Sequence, residues 1–237
     1  MLVQDVRAFP PVPPAVLDDE LAVLAADWSA FAGIDRMSNH WARPGWGPGR
    51  RSFYWMITFP GHRELAEEAL SCQRELAAFG LDPVPADGLH ITMNKIGVMG
   101  QVRREQLEEL AQSVRGTLGG PLRLLAHPMA GSRGAVRFTV TPWTGLVSLH
   151  AALARAGERA GVPGGTETAL FRPHLGILYH NCDRPAVDLI DAVAALRDRA
   201  PVEVVVDAVR LVELRREDRA YRWETLHEVA LDGDGPR

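Results

Sequence analysis

Lysine is nearly missing from this chain: of 26 basic residues only Lys95 is a lysine and the rest are arginines. That bias reads mainly as genome composition, although arginine also suits bidentate contacts to phosphate. Excess positive charge is missing too. Against 30 acidic residues the net charge is −4, which excludes electrostatic wrapping of duplex DNA but allows a pocket for a small or terminal nucleotide. Cysteine is scarce. Cys72 and Cys182 form no Cys-x-x-Cys and no disulfide framework, so a reducing compartment, the cytoplasm, is expected. No apolar run approaches the ~20 residues that cross a bilayer, so no membrane partner is expected. The first ten residues lack the basic cluster and apolar stretch of a secretory signal. No Gly-x-Ser-x-Gly, Walker or dinucleotide-binding signature is present.

What is there is ordinary globular material: 237 residues, 46% hydrophobic and 24% charged, enough for one domain with an arm. Residues 1–50 form the arm. Pro10, Pro11, Pro13 and Pro14 stiffen its start. Leu21, Leu24, Trp28 and Phe31 then fall at helical spacing, predicting a helix over 15–33. A turn-rich linker carrying Trp41 and Trp46 follows. Packing on the main domain is the expectation for this arm, with a lid or a dimer contact as alternatives.

Residues 51–237 alternate short strands with helices. Strands are expected over 52–59, 89–96, 122–128, 135–141, 170–179, 202–214 and 223–231. Helices are expected over 62–79, 102–116, 143–160 and 184–199, the first three closed by Gly80, Gly116 and Gly161. This is an α+β or α/β pattern with a substantial sheet. It also repeats itself. Strand 52–59, helix 62–79 and the strand bearing His90 match strand 135–141, helix 143–160 and the strand bearing His174, at nearly the same spacing.

Two of the eight histidines stand apart. In Leu89-His90-Ile91-Thr92-Met93, His90 and Thr92 share one strand face while Ile91 and Met93 take the other. An imidazole moves a proton and a neighbouring hydroxyl donates to an anionic oxygen, so the pair suits one small anion. Phe171-Arg172-Pro173-His174-Leu175-Gly176 repeats the layout, and Arg172 shares the face of His174 if Pro173 keeps the register. Tyr54 and Trp143 are candidate platforms for a nucleobase, with a place in the core as the alternative for each. Tyr179, His180 and Asn181 read as a solvated strand end.

These two motifs make the chain resemble the two-histidine (2H) phosphoesterases, the superfamily of 2′-5′ RNA ligase-like proteins and RNA 2′,3′-cyclic phosphodiesterases. Gly88-Leu-His90-Ile-Thr92 matches the first motif in full, and Phe171, Pro173 and His174 match the lead-in to the second. The resemblance covers about residues 51–231. It implies a bilobed α+β fold of two pseudo-repeated lobes, with mostly antiparallel sheets flanked by helices. It also implies His90 and His174 as the catalytic acid–base pair around a nucleotide or RNA 3′-end phosphodiester, with Thr92 holding the phosphate, no cofactor and no metal.

One position departs from the pattern. The second motif ordinarily carries Thr or Ser two residues after its histidine, and this chain has Gly176. Arg172 could supply the missing contact, Gly176 could make room for a bulkier substrate, or the protein could bind nucleotide or an RNA end without turnover. A scaffold acting through its tryptophan-bearing arm is the third functional class the sequence allows. Base and acid are not assigned between the two histidines, and the oligomeric state is not legible.

Overall fold

The computed structural model describes residues 9, 10, 12–42, 47 and 49–233. Pro11 and Trp46, both assigned to the arm above, lie outside them. The chain runs α1 (Glu20–Ala32), β1 (Arg36–Met37), β2 (Arg51–Thr58), α2 (Arg63–Glu75), β3 (Asp82–Pro83), β4 (His90–Val98), α3 (Arg104–Val114), β5 (Leu122–Ser132) and β6 (Ala135–Thr141). It continues through α4 (Thr144–Arg159), β7 (Leu175–Tyr179), β8 (Arg184–Pro185), α5 (Val187–Ala194), β9 (Val202–Val206), β10 (Ala208–Glu217) and β11 (Ala220–Ala230). Two antiparallel sheets carry the molecule, one ordered β11-β10-β2-β4 and the other β3-β7-β6-β5-β9. The strand–helix–strand repeat read from the sequence thus becomes one unit per sheet, β2-α2-β4 and β6-α4-β7. No helix among the described residues is long and apolar enough to cross a membrane.

Alternation places the core. Phe53, Trp55 and Ile57 of β2 and Val136, Phe138 and Val140 of β6 enter one apolar core shared by both lobes. Tyr54 and Met56 face the other way, joining Val212 and Leu214 in a smaller cluster. Helix α2 keeps its amphipathic face on Leu65, Ala69 and Cys72, then tightens into a 3-10 turn over Ala77–Phe79 that ends at Gly80, with φ of 60°.

Three expectations are corrected. The predicted strand 202–214 is two strands in different sheets, because the chain crosses from β9 to β10 around Asp207. The predicted strand 170–179 begins only at Leu175, after a 3-10 turn over Thr168–Leu170. The arm helix buries Val23, Asp27 and Phe31, while Leu21 is exposed, so its inner face is offset from the predicted stripe and has a carboxylate at its centre.

Helix α1 begins at Asp19, whose side chain accepts from the Ala22 amide at 3.0 Å. It packs on β5 and β6. Gly131 allows that approach: a Cβ there would collide with the Phe31 ring.

Candidate active site

His90 opens β4 and His174 immediately precedes β7, so the repeated units present their histidines at equivalent strand starts. The local geometry repeats as well. His90 Nδ1 donates to the carbonyl of Gly88 at 2.7 Å, and His174 Nδ1 donates to the carbonyl of Arg172 at 2.8 Å. A carbonyl accepts only from a protonated nitrogen, so each bond fixes the tautomer and leaves Nε2 as the nitrogen with the lone pair. A 3-10 turn over Ala86–Gly88 sets the first of these carbonyls. Phe171 holds the second loop, buried and stacked on His150 with ring centroids 4.3 Å apart.

The two imidazoles lie near enough for charge on one to disfavour charge on the other. His174 is pushed down to about 4 by burial first, then by the Arg137 guanidinium, with His90 adding a smaller push in the same direction. Burial also lowers His90, which is 8% exposed. Both rings are therefore neutral at pH 7 in the ligand-free protein.

Thr92 lies two residues along β4 from His90, on a strand that pairs with β2 through Thr58↔His90 and Met56↔Thr92. Beside His90 stand Trp223 and Tyr221, with ring centroids at 5.4 and 5.9 Å. Tyr54 lies behind them, its buried ring packed with Met56, Val212 and Leu214.

In the second lobe Arg137 lies across from Gly176. Its guanidinium is fully buried, donating to both Asp27 oxygens at 2.6 and 3.0 Å and to the Gly131 carbonyl at 3.1 Å. Thr139 donates to the same carboxylate at 2.7 Å. Phe9 of the arm lies against both His174 and Arg137, 4.8 Å from each.

The structure repositions four sequence candidates. Arg172 sits in irregular chain ahead of β7, so the strand register that would set it beside His174 does not exist there. Its guanidinium donates to the carbonyls of Pro10, Ala169 and Phe171, which ties the arm to the second lobe. Trp143 is fully buried and donates to the Val140 carbonyl at 2.8 Å, making it a core residue with no face for a base. Tyr179 and His180 are buried, at 6% and 0% exposure, because the arm crosses the end of β7, where the His40 amide donates to the His180 carbonyl.

Asp27, Arg137, Tyr221 and Trp223 are not among the candidates that the sequence offers. For the last two a signal existed, since Tyr221 and Trp223 alternate toward one face of the closing strand. Among the described residues no group of three or more His, Cys, Asp or Glu side chains is placed to hold a metal ion.

Two antiparallel sheets built from a repeated unit, each with an oriented imidazole at a strand start, are the architecture of the two-histidine phosphoesterase superfamily. Consistent with that, the family model of the 2′-5′ RNA ligase superfamily matches residues 62–218, and the chain belongs to this superfamily. Among solved structures it is similar to E. coli LigT complexed with NADP+, at 20% identity and a TM-score of 0.55, covering 77% of this chain and 98% of that one. TT0787 of Thermus thermophilus matches at 20% identity and a TM-score of 0.57, covering 77% and 99%. E. coli LigT complexed with 3′-AMP matches at 18% identity, also with a TM-score of 0.57 and coverage of 77% and 99%. No curated protein matches the chain.

Proposed function

We propose that the protein is a metal-independent phosphodiesterase that hydrolyses a 2′,3′-cyclic phosphate, or a related phosphodiester of a nucleotide or RNA end. The supporting observation is the matched pair His90 and His174, each with Nδ1 held by the carbonyl two residues before it and Nε2 left to move a proton. One neutral imidazole takes a proton from water as the water oxygen bonds to phosphorus. The other, protonated, gives its proton to the departing ribose oxygen as the P–O bond breaks. The Thr92 hydroxyl donates to a phosphoryl oxygen, where negative charge grows.

Depressed histidines fit this chemistry. The bound phosphate is an anion, and setting it between two neutral rings draws in the one proton that the acid needs. Trp223 and Tyr221, beside His90, offer apolar faces to a base or ribose. E. coli LigT has been crystallised with 3′-AMP and with ATP, which supports ligands of nucleotide size here.

Gly176 favours a second reading, a nucleotide- or RNA-end-binding protein without turnover, because the second lobe lacks the hydroxyl that Thr92 gives the first. Hydrolysis of 2′,3′-cyclic nucleotides separates the two. An enzyme shows turnover that His90→Ala abolishes, whereas a binder retains nucleotide and releases no product.

A further inference from the structure

The match to the superfamily begins at residue 62, and the arm lies ahead of it. Its course over the second lobe nevertheless brings it into the site. Strands β6 and β7 pair as Phe138↔Leu175 and Arg137↔Gly176. Phe138 and Leu175 enter the apolar core, so Arg137 and Gly176 face the other way. His174 is on that side too, because one ring, Phe9, meets both His174 and Arg137. Helix α1 covers the same face, where Asp27 binds Arg137 and Thr139. The second-lobe side of the site is therefore built from arm as well as sheet.

Phe9 is fixed in place. Pro10, the next residue, is buried, and its carbonyl accepts from Arg172 Nε at 3.0 Å. Further along the arm, the Leu17 carbonyl accepts from the Trp143 amide at 2.9 Å. The Phe9 ring stands with its centroid 4.8 Å from that of His174, tilted by 45°, and the Arg137 guanidinium lies over it. A phenyl ring has no hydrogen-bonding group, so what it gives the site is shape. It occupies the space beside the second histidine.

The first-lobe side is different. Trp223 and Tyr221 flank His90 and are both part-exposed, which leaves them surface for a base or ribose. A 2′,3′-cyclic phosphate has both ester oxygens on one ribose, so its nucleoside fits entirely on that side. A linear diester carries a second nucleoside beyond the phosphorus. On the second-lobe side its place is taken.

We propose that Phe9 determines specificity: by filling the space beside His174, it confines the site to phosphodiesters with a single nucleoside at the phosphorus and turns away linear dinucleoside phosphodiesters. This rests on the phosphodiester reading above.

The test compares full-length wild type, Phe9→Ala and Phe9→Trp, with His90→Ala as the blank. The substrates are 2′,3′-cyclic AMP and 2′-5′-linked adenylyl-adenosine, and the readout is the ratio of their kcat/KM values, linear over cyclic. The ratio is expected to lie well below one in wild type, to rise about tenfold or more in Phe9→Ala, and to fall in Phe9→Trp. Phe9→Trp keeps a ring packed at this point, so it reads the site even where alanine loosens the arm. A merely structural phenyl predicts that both substrates suffer alike, and a ratio unchanged in both variants overturns the assignment. A ratio that falls in Phe9→Ala overturns it as well, since the ring would then be a platform for the second base. Either result, with His90→Ala dead, leaves the phosphodiesterase reading intact. Should wild type turn over neither substrate, the hydrolytic reading fails. The ratio is then taken from calorimetric affinities for the dinucleotide and for 3′-AMP, where the same tenfold rise in Phe9→Ala upholds the assignment and an unchanged ratio overturns it. Wild type that neither hydrolyses nor binds overturns both.

Discussion

Asp27, in the helix of the N-terminal arm, closes both carboxylate oxygens on the guanidinium of Arg137 in β6, at 2.6 and 3.0 Å and with both side chains essentially out of solvent. The pair joins the arm to the sheet that carries His174, and its positive member is the charge that helps hold His174 neutral. Removing one partner strands the other. Asp27→Ala is expected to destabilise the protein by about 3–5 kcal/mol in urea unfolding. Asp27→Leu combined with Arg137→Met should recover most of that loss, because a buried ion pair and an apolar pair of similar volume are nearly equivalent. A single variant within about 1 kcal/mol of wild type, the scale of an exposed ion pair, would show that the arm is not anchored this way.

Activity should favour mildly acidic conditions. The productive form carries one proton on the histidine pair, and in the free protein His174 lies at about 4, with His90 also below the ordinary 6.5. The singly protonated fraction therefore shrinks as pH rises through neutrality, and kcat/KM is expected to climb as pH falls from 8 toward 6. Binding of 3′-AMP at pH 7 should take up protons, measurable by calorimetry in buffers of different ionisation enthalpy. A kcat/KM maximum at or above pH 7 would contradict the burial argument.

His180 makes the fold acid-sensitive. It is fully buried, neither ring nitrogen has a hydrogen-bond partner among the described residues, and burial lowers it to about 4, with the Arg184 charge pushing the same way. Because the folded value lies below the unfolded one, the unfolded chain binds the proton first. Stability is therefore intact above about 6.5 and declines as pH falls through the window down to about 4. For one such group the loss at pH 5 is about 2 kcal/mol. His180→Leu should flatten the urea-midpoint profile between pH 7 and 5 by that amount, and a profile unchanged by the substitution would count against it.

Arg172 should matter to the arm more than to the chemistry. Its guanidinium holds the Pro10 carbonyl at 3.0 Å and two carbonyls ahead of His174. Arg172→Ala is expected to speed proteolytic cleavage near Pro10 severalfold, while kcat falls by less than tenfold. A loss of 10² or more in kcat without faster cleavage would return Arg172 to the phosphate.

The local features of this fold were legible in the sequence, and its long-range ones were not. Alternation in Leu89–Met93 fixes which way His90 and Thr92 point, and Phe171-x-Pro-His marks the second histidine from neighbouring residues alone. Tyr179 was misread as solvated because what covers it, His40 and Trp41 of the arm, lies far away in the sequence. Asp27 and Arg137 stand 110 residues apart, so neither the spacing nor the composition of either segment announces the pair. Trp143 and Tyr54 have the same kind of aromatic surface in sequence, and only the packing separates a core indole from a ring on the side of the paired histidines. Arg172 failed for a simpler reason: the strand that would have turned it toward His174 starts three residues later, at Leu175.

In the proposed mechanism His90 and His174 move protons as a pair without a metal. It is tested most directly by hydrolysis of 2′,3′-cyclic nucleotides in the presence of a chelator, with wild type beside His90→Ala and His174→Ala. Turnover is expected to survive the chelator and to fall by about 10²–10⁴-fold in each variant. Turnover that the chelator abolishes, or that either alanine variant retains, would contradict it.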